Sequence, residues 1–175
     1  MTSCARAIDW LVRAQSRVSC HYAIDADGEV TVFSGTQAMG QGLETSYVQL
    51  ITEVLQIPVE KVKIVQGYTD QANGVGSVGS RSAFVGGSAV VAAGRKTVAR
   101  GTELAAEALE SSAADIEYRN GEFRISGTDR SIGLAELAAK QPERHFRVSA
   151  TETPSSPSWP NGAQVCELEI DPETG

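Results

Sequence analysis

The spacing of hydrophobic residues changes several times along this chain, and each change marks an element. Between residues 5 and 15, Ala5, Ile8, Leu11 and Val12 recur at helical spacing, which predicts a short amphipathic helix packed on the main body. From Val18 the period falls to two. Val18, Cys20, Tyr22 and Ile24 share one face, Asp27-Gly28 supplies a hairpin turn, and Val30 and Val32 continue on the return strand. Leu43, Tyr47, Leu50, Ile51, Val54 and Leu55 then form an apolar stripe, predicting a helix over Gly42–Gln56 that ends before Pro58. A strand over Val62–Tyr68 leads to a second, longer helix over Ser82–Glu110. Each principal helix is thus preceded by a strand.

The last third has shorter elements. Ile116, Tyr118, Phe123 and Ile125 flank Asn120-Gly121, the strongest hairpin signal in the sequence. Ser131 is a candidate cap for a short helix around Leu134–Lys140, stopped by Pro142, and His145–Thr153 reads as extended. Residues 154–162 are rich in breakers, with Trp159 as a candidate anchor to the body. Gln164, Cys166, Leu168 and Ile170 alternate like a final strand, and Asp171–Gly175 reads as a hairpin turn with no second strand after it. The fold class expected is α+β, a mixed β-sheet packed by two main helices.

Glycine placement separates two of the connections from ordinary turns. Asn73–Gly87 reads NGVGSVGSRSAFVGG, with five glycines and three serines in fifteen positions, and runs directly into the long helix. Glycine gives access to φ > 0 and lets a ligand approach where a Cβ would block it. A helix starting there presents unpaired N–H groups and the positive end of its dipole. Such a loop suits phosphate or pyrophosphate. The competing reading is a solvated linker, but Val75, Val78, Phe84 and Val85 interleave with the glycines and argue against it. Gly40-Gln41-Gly42 repeats the arrangement at the N-terminus of the first helix; taken alone, a plain strand-to-helix turn with a solvated Gln41 is the stronger reading there. Sequential βα units with parallel strands place their helix N-termini at one edge of a sheet. Gln41 and Gly79–Ser82 are therefore expected to face a common cavity. Gly87, Gly94 and Gly101 recur every seven residues inside the long helix, each at a cost of about 1 kcal/mol relative to alanine, which close packing against a neighbouring backbone explains most simply.

Composition narrows the functional classes. The 175 residues are 41% hydrophobic, enough for one domain or two small lobes with a real core. Fifteen Lys+Arg against 22 Asp+Glu give a net charge of −7, which argues against nucleic-acid binding. No apolar run is long enough to cross a bilayer. Cys4, Cys20 and Cys166 are odd in number and far apart, indicating neither a zinc site nor a disulfide framework, with a reducing cytoplasm as the default. His21 has no ligand-spaced partner and falls opposite the apolar face, so a surface histidine is expected rather than a metal ligand. No Gly-Lys-Ser/Thr follows the glycines, which excludes a Walker A loop, and the acid that a dinucleotide fingerprint needs would fall in helix interior. No nucleophile elbow is present. The residues alone lead to a βα protein with two anion-seating loops.

A resemblance carries the reading further. DGEVTVFSGTQAMGQGLETSYVQLITEVLQIPVEKVKIVQGYTD, GVGSVGSRSAFVGGSAV and the closing PNGAQVCELEIDPETG are similar, in order, to the molybdopterin-binding large subunit of the xanthine dehydrogenase/aldehyde oxidase family. It implies a cofactor-binding segment over residues 20–175, truncated at its C-terminal end, preceded by an N-terminal helix over 1–19 of unclear role. It further implies a molybdenum–molybdopterin cofactor, free or as a dinucleotide, whose metal is held by the pterin dithiolene and by no protein ligand. Gly40, Gln41 and Gly42 would contact the cofactor near the metal, and Gly79, Ser80, Arg81 and Ser82 its body and phosphate. Members hydroxylate an aldehyde or N-heterocycle with oxygen from water. Their partners are the remaining parts of the large subunit and the iron–sulfur and FAD subunits or domains. The preceding half of the subunit and the downstream Gly-Glu motif with its catalytic glutamate are missing here, so no catalytic residue is assigned and the isolated chain is expected to be inactive. The rivals are a stand-alone module for a phosphorylated ligand and a structural remnant that binds nothing.

Overall fold

In a computed structural model, residues 17–153 and 162–175 are described. The predicted helix over 5–15 and most of the breaker-rich stretch, including Trp159, lie outside them. β1 (Val18–Asp25) and β2 (Val30–Ser34) form the expected antiparallel hairpin. The Asp25 carboxylate accepts the N–H groups of Asp27 at 3.0 Å and Glu29 at 2.9 Å, and Gly28 takes φ +77°. α1 (Leu43–Leu55) and β3 (Val62–Gln66) follow, and β3 pairs parallel with β2, so β2–α1–β3 is a βαβ unit. A π-helical turn (Ser82–Gly86) leads into α2 (Gly87–Ala108).

β7 (His145–Glu152) is the extended segment expected near His145, and it pairs antiparallel with the whole of β1. The sheet order is therefore β3-β2-β1-β7, mixed as expected, with β1 central. Period-two alternation sends Val18, Cys20, Tyr22, Ile24, Val30, Val32, Phe146 and Ala150 to one face, where they join Tyr47, Ile51 and Leu55 of α1 and Ala89, Val90 and Ala93 of α2 in one core. Burying each of the larger side chains contributes about 1.5–3 kcal/mol. The opposite face carries Ser19, His21, Thr31, Phe33 and Arg147. His21 lies half-buried on that face. Burial, followed by the nearby Arg147 guanidinium, holds its pKa below the ordinary histidine value. Among the described residues no group of three or more His, Cys, Asp or Glu side chains could hold a metal, and no helix is long and apolar enough to cross a membrane.

A smaller sheet of β4 (Ile116–Arg119), β5 (Glu122–Ile125) and β6 (Ser131–Gly133) closes the far end. Asn120 and Gly121 take φ +52° and +78°, the two left-handed residues that their hairpin requires. The hairpin also fastens α1: the Tyr118 hydroxyl donates to the Leu55 carbonyl, and Gln56 Oε1 accepts the Asn120 N–H at 2.8 Å. Ser131 is a β6 residue facing Arg124 across the pair, and α3 (Leu134–Ala139) is capped by Gly133, so the capping role expected of Ser131 is not found.

Two further expectations are corrected. Gln164–Ile170 forms no strand. Val165, Leu168 and Ile170 are 96%, 71% and 66% exposed, and the segment pairs with no strand among the described residues, so its alternation alone does not make a strand. The turn after it does form, with the Asp171 carboxylate accepting the Glu173 N–H at 2.8 Å and the Thr174 hydroxyl at 2.9 Å. The helical glycines face side chains, not a backbone. A Cβ on Gly87 would lie 3.3 Å from Leu50 Cδ1, one on Gly94 would lie 2.9 Å from Val54 Cγ1, and one on Gly101 would overlap the ring of Phe123. Gly94 also leaves room for Tyr22, whose hydroxyl donates to the Val90 carbonyl at 3.0 Å.

These contacts rank the glycines. Gly101→Ala is expected to destabilise by about 1–2 kcal/mol despite the gain in helix propensity, because the fully buried Phe123 must move. Gly87→Ala, facing only a flexible Leu50 methyl, should stay within about 1 kcal/mol of the parent; denaturant melts of the two variants check the order. Burial pushes the Cys20 thiol from 9.0 to about 12, whereas Cys166 is exposed. In the native protein at pH 8 Cys166 should react with a thiol reagent and Cys20 only after unfolding. Because only the unfolded Cys20 thiol ionises readily, its share of stability should be fully present below pH 9 and lost as the pH climbs towards 12.

Candidate functional site

The two glycine loops follow the C-terminal ends of the parallel strands β2 and β3 and enter α1 and α2. Their bases cross at two glycines. Gly35 and Gly74 pass so closely that a Cβ on either would overlap the other segment's backbone, at the Asn73 carbonyl or the Gly35 carbonyl. Around the crossing the Gly76 N–H donates to the Gly35 carbonyl at 3.2 Å, the Gly35 N–H to the Ser19 carbonyl at 3.0 Å, and the Ser19 N–H to the Asn73 carbonyl at 2.9 Å. Higher up, the Gln37 N–H donates to Ser77 Oγ at 3.1 Å, while the Ser77 hydroxyl donates back to the Gln37 carbonyl. The loops therefore lie side by side at one edge of the sheet.

Each loop residue named from the sequence has a definite place. Gly40 and Gly42 take φ +85° and +74°, with no atom of the described residues within 4 Å of where a Cβ would be. Gly42 is the N-cap of α1, and among the described residues no side chain accepts from the first-turn N–H groups of that helix. Gln41 is exposed, yet its amide is engaged within its own loop: Nε2 donates to the Gln37 carbonyl at 3.0 Å and Oε1 accepts the Met39 N–H at 2.5 Å. Gly79 and Ser80 are consecutive left-handed residues at φ +57° and +55°. The Arg81 guanidinium lies over Gly79, with Nε 3.4 Å from the position of a Cβ there. Arg81 also caps the π-turn that Ser82 begins. Gln41 and Ser77 thus share the Gln37 carbonyl, but among the described residues no hydrogen bond joins Gln41 to Gly79–Ser82.

Sequence reasoning missed the layer beneath. Ser34, Thr36 and Tyr47 are buried behind the loops. The Tyr47 hydroxyl donates to the Ser82 carbonyl at 2.8 Å and lies 3.1 Å from Thr36 Oγ1. Thr36 Oγ1 lies 2.9 Å from Ser34 Oγ and accepts from Gln66 Nε2 at 2.7 Å. The signal was available: β2 parity sends residues 30, 32 and 34 inward, so a hydroxyl at Ser34 called for a buried partner. Burial raises the pKa of Tyr47, partly offset by its hydroxyl partners, so it stays protonated at neutral pH. Of the apolar residues threaded among the glycines, only Val85 joins the core. Val75, Val78 and Phe84 remain exposed with Met39 and form an apolar rim.

The donor set suits an anion. Neither Gly35–Gly42 nor Asn73–Ser82 contains a carboxylate, and between them they offer backbone N–H groups, an amide, hydroxyls and one guanidinium. Among the described residues, no atom within 4 Å of a Cβ position at Gly40 or Gly42 blocks a close approach to the backbone.

Residues 3–175 match the profile of a molybdopterin cofactor-binding domain. The match takes in the N-terminal stretch for which the sequence motifs offered no counterpart. The chain is 35% identical over 158 residues to the 6-hydroxypseudooxynicotine dehydrogenase complex subunit gamma of Paenarthrobacter nicotinovorans, covering 85% of this chain and 20% of that protein. It is 34% identical over 166 residues to the carbon monoxide dehydrogenase large chain of Afipia carboxidovorans, covering 90% and 20% respectively. A crystal structure of Cu,Mo-CO dehydrogenase in the carbon monoxide reduced state superposes with a TM-score of 0.72 at 34% identity, over 79% of this chain and 18% of that one. Quinoline 2-oxidoreductase from Pseudomonas putida 86 gives a TM-score of 0.67 at 29% identity, over 79% and 19%. The chain spans about a fifth of the length of the curated relatives it matches.

The glycine crossing makes a prediction independent of any ligand. Gly35→Ala or Gly74→Ala should each destabilise the fold by more than about 2 kcal/mol, because a Cβ there meets backbone that cannot step aside. Gly42→Ala meets nothing and should cost only the strain of its left-handed φ, about 1 kcal/mol, in the same unfolding assay.

Proposed function

The chain belongs to the family of molybdopterin cofactor-binding domains, and on that premise we propose that its two glycine loops form part of the seat of a molybdenum–molybdopterin cofactor. The observation that carries this reading is the seam at Gly35–Gly74 and Gln37–Ser77, which holds two donor-rich, carboxylate-free loops at one sheet edge. In this seat Gly40-Gln41-Gly42 lies towards the metal end of the cofactor. Gly79, Ser80, Arg81 and Ser82 meet its body and phosphate through N–H groups, hydroxyls and the guanidinium. When bound, the cofactor supplies the metal-centred redox chemistry, and the chain supplies hydrogen bonds, orientation and a wall against water.

The Gln41 amide reaches a ligand only by exchanging its bonds to Gln37 and Met39, so it either switches partners or holds the loop while the glycine backbone makes the contact. The whole enzyme is proposed to be a molybdenum hydroxylase that acts on a small aldehyde or N-heterocycle, the bound pterin being either free or a dinucleotide. Iron–sulfur and flavin subunits accept its electrons, in the cytoplasm. The catalytic glutamate is proposed to lie outside the 175 residues, leaving this chain to bind and not to turn over. A stand-alone module for another phosphorylated ligand would purify without molybdenum.

The test belongs in the complete subunit, scored as molybdenum and pterin retained per folded protein. Gly79→Val fills the approach to the backbone, and Gly79→Asn does so with a residue that tolerates left-handed φ; both should lower retention at least tenfold. Gln41→Ala should lower it about two- to tenfold, the equivalent of a hydrogen bond of about 0.5–1.5 kcal/mol. If all three variants fold and hold molybdenum like the parent, the loops are not the seat.

A further inference from the structure

We propose that Tyr47 is a positioning residue of this seat, whose hydroxyl makes α2 open as a π-turn and so fixes how the Gly79–Ser82 backbone meets the cofactor. The inference rests on the proposed cofactor reading of the two loops and adds a residue to which neither the loop motifs nor the resemblance gave a role.

The geometry begins at the Ser82 carbonyl. At the start of a regular helix this oxygen would accept the N–H four residues on. Here it lies in a five-residue π-turn, where the Gly87 N–H reaches back to it and the Tyr47 hydroxyl donates to it at 2.8 Å. A side chain entering the hydrogen-bond ladder is an identifiable cause of such a turn. Gly86 is the counterpart. A Cβ on Gly86 would overlap Tyr47 Oη and lie 2.7 Å from Thr36 Cγ2, so the tyrosine can reach Ser82 only because residue 86 has no side chain. Tyr47 itself is fully buried and belongs to α1, the helix that Gly42 opens. One hydroxyl thus ties the helix of the first loop to Ser82, the last residue of the second loop and the first of the π-turn.

Proton accounting fixes the direction of the chain behind it. Tyr47 has one proton, committed to the Ser82 carbonyl, so at the 3.1 Å contact Thr36 must be the donor. With its own proton spent, Thr36 Oγ1 accepts from Gln66 Nε2 at 2.7 Å and from Ser34 at 2.9 Å. The order runs from β3 and β2 through Thr36 and Tyr47 to Ser82. Tyr47 is held protonated by burial, which keeps it a donor. Among the described residues the Ser82 N–H and hydroxyl have no hydrogen-bond partner, so anchoring the carbonyl leaves the donors of Ser82 for a ligand.

The experiment uses Tyr47→Phe, Thr36→Val and Thr36→Ser in the complete subunit, with Gly79→Asn alongside. Amide hydrogen exchange over residues 78–87 reads the loop without reference to cofactor, and molybdenum per folded protein reads the seat. Tyr47→Phe should speed exchange across 78–87 about tenfold while β1 and β2 stay protected, and should lower molybdenum several-fold. Thr36→Val should act in the same direction, Thr36→Ser should behave like the parent, and the Tyr47→Phe/Thr36→Val double variant should be no worse than Tyr47→Phe alone. Parent-like exchange over 78–87 in Tyr47→Phe overturns the proposal, as does full molybdenum in Tyr47→Phe while Gly79→Asn is stripped, an outcome that leaves the seat itself standing. Full molybdenum in Gly79→Asn as well removes the seat and the inference with it. Should Tyr47→Phe fail to fold, Thr36→Val, which keeps the ring and removes its donor, decides on the same two readouts.

Discussion

Two glycines without side chains, Gly35 and Gly74, let the backbones of the two loops touch, and the rest of the site depends on that contact. No pair of L side chains could replace it, because the space that a Cβ would need is filled by carbonyls on both sides. The crossing sits where β1 begins, and Ser19 bonds to both strands of it, through its N–H to Asn73 and its carbonyl to Gly35. Once the bases are locked, the seam above them follows: Gly76 to Gly35, then Ser77 to Gln37, then Gln41 folded back on the same Gln37 carbonyl. The loops are thus ordered by their own hydrogen bonds. A ligand arriving at a pre-organised loop loses less entropy on binding than one that must order it.

The helices are held for the same purpose. α1 is fixed at both ends, at its N-terminal turn by Tyr47 to Ser82 and at its C-terminus by Tyr118 to Leu55 and Asn120 to Gln56. α2 lies across the sheet on glycines that admit Tyr22, Val54 and Phe123. Those glycines cost helix propensity, and the burial of two aromatic side chains offsets it. The long helix therefore starts where its neighbours put it, and its N-terminal loop inherits that position.

What could be read from the sequence was local. Period-two alternation located β1, β2 and their turn, Asn120-Gly121 located the small hairpin, and the apolar stripes located α1 within a residue or two and α2 only together with its π-turn, the α-helix proper starting five residues after Ser82. Distant contacts were not legible. The pairing of β7 with β1 and the Gly35–Gly74 crossing join segments whose separation leaves no periodic trace. Ser131 has the chemistry of a cap, but sheet pairing with Arg124 claims it and the helix begins three residues later. Gln164–Ile170 has the alternation of a strand and pairs with no strand among the described residues. The loop residues Gly40–Gly42 and Gly79–Ser82 stood out in the sequence because glycine and serine cluster there beside the start of a helical pattern. Thr36 and Tyr47 were missed because a buried hydroxyl network looks, residue by residue, like ordinary core.

The electrostatic setting completes the argument. The chain carries a net charge of −7, so an anion is repelled by the molecule as a whole and must be attracted locally. The loops meet that requirement by composition. Nothing from Gly35 to Gly42 or from Asn73 to Ser82 is acidic, and Arg81 stands over Gly79 at the start of the π-turn that leads into α2. Such short-range attraction weakens less with salt than a long-range field does, because partly enclosed partners are screened less than exposed charges. A seat built this way selects for shape and donor pattern over charge. That suits the proposed cofactor, which has an anionic group and a larger polar body, at loops where backbone N–H groups outnumber basic side chains.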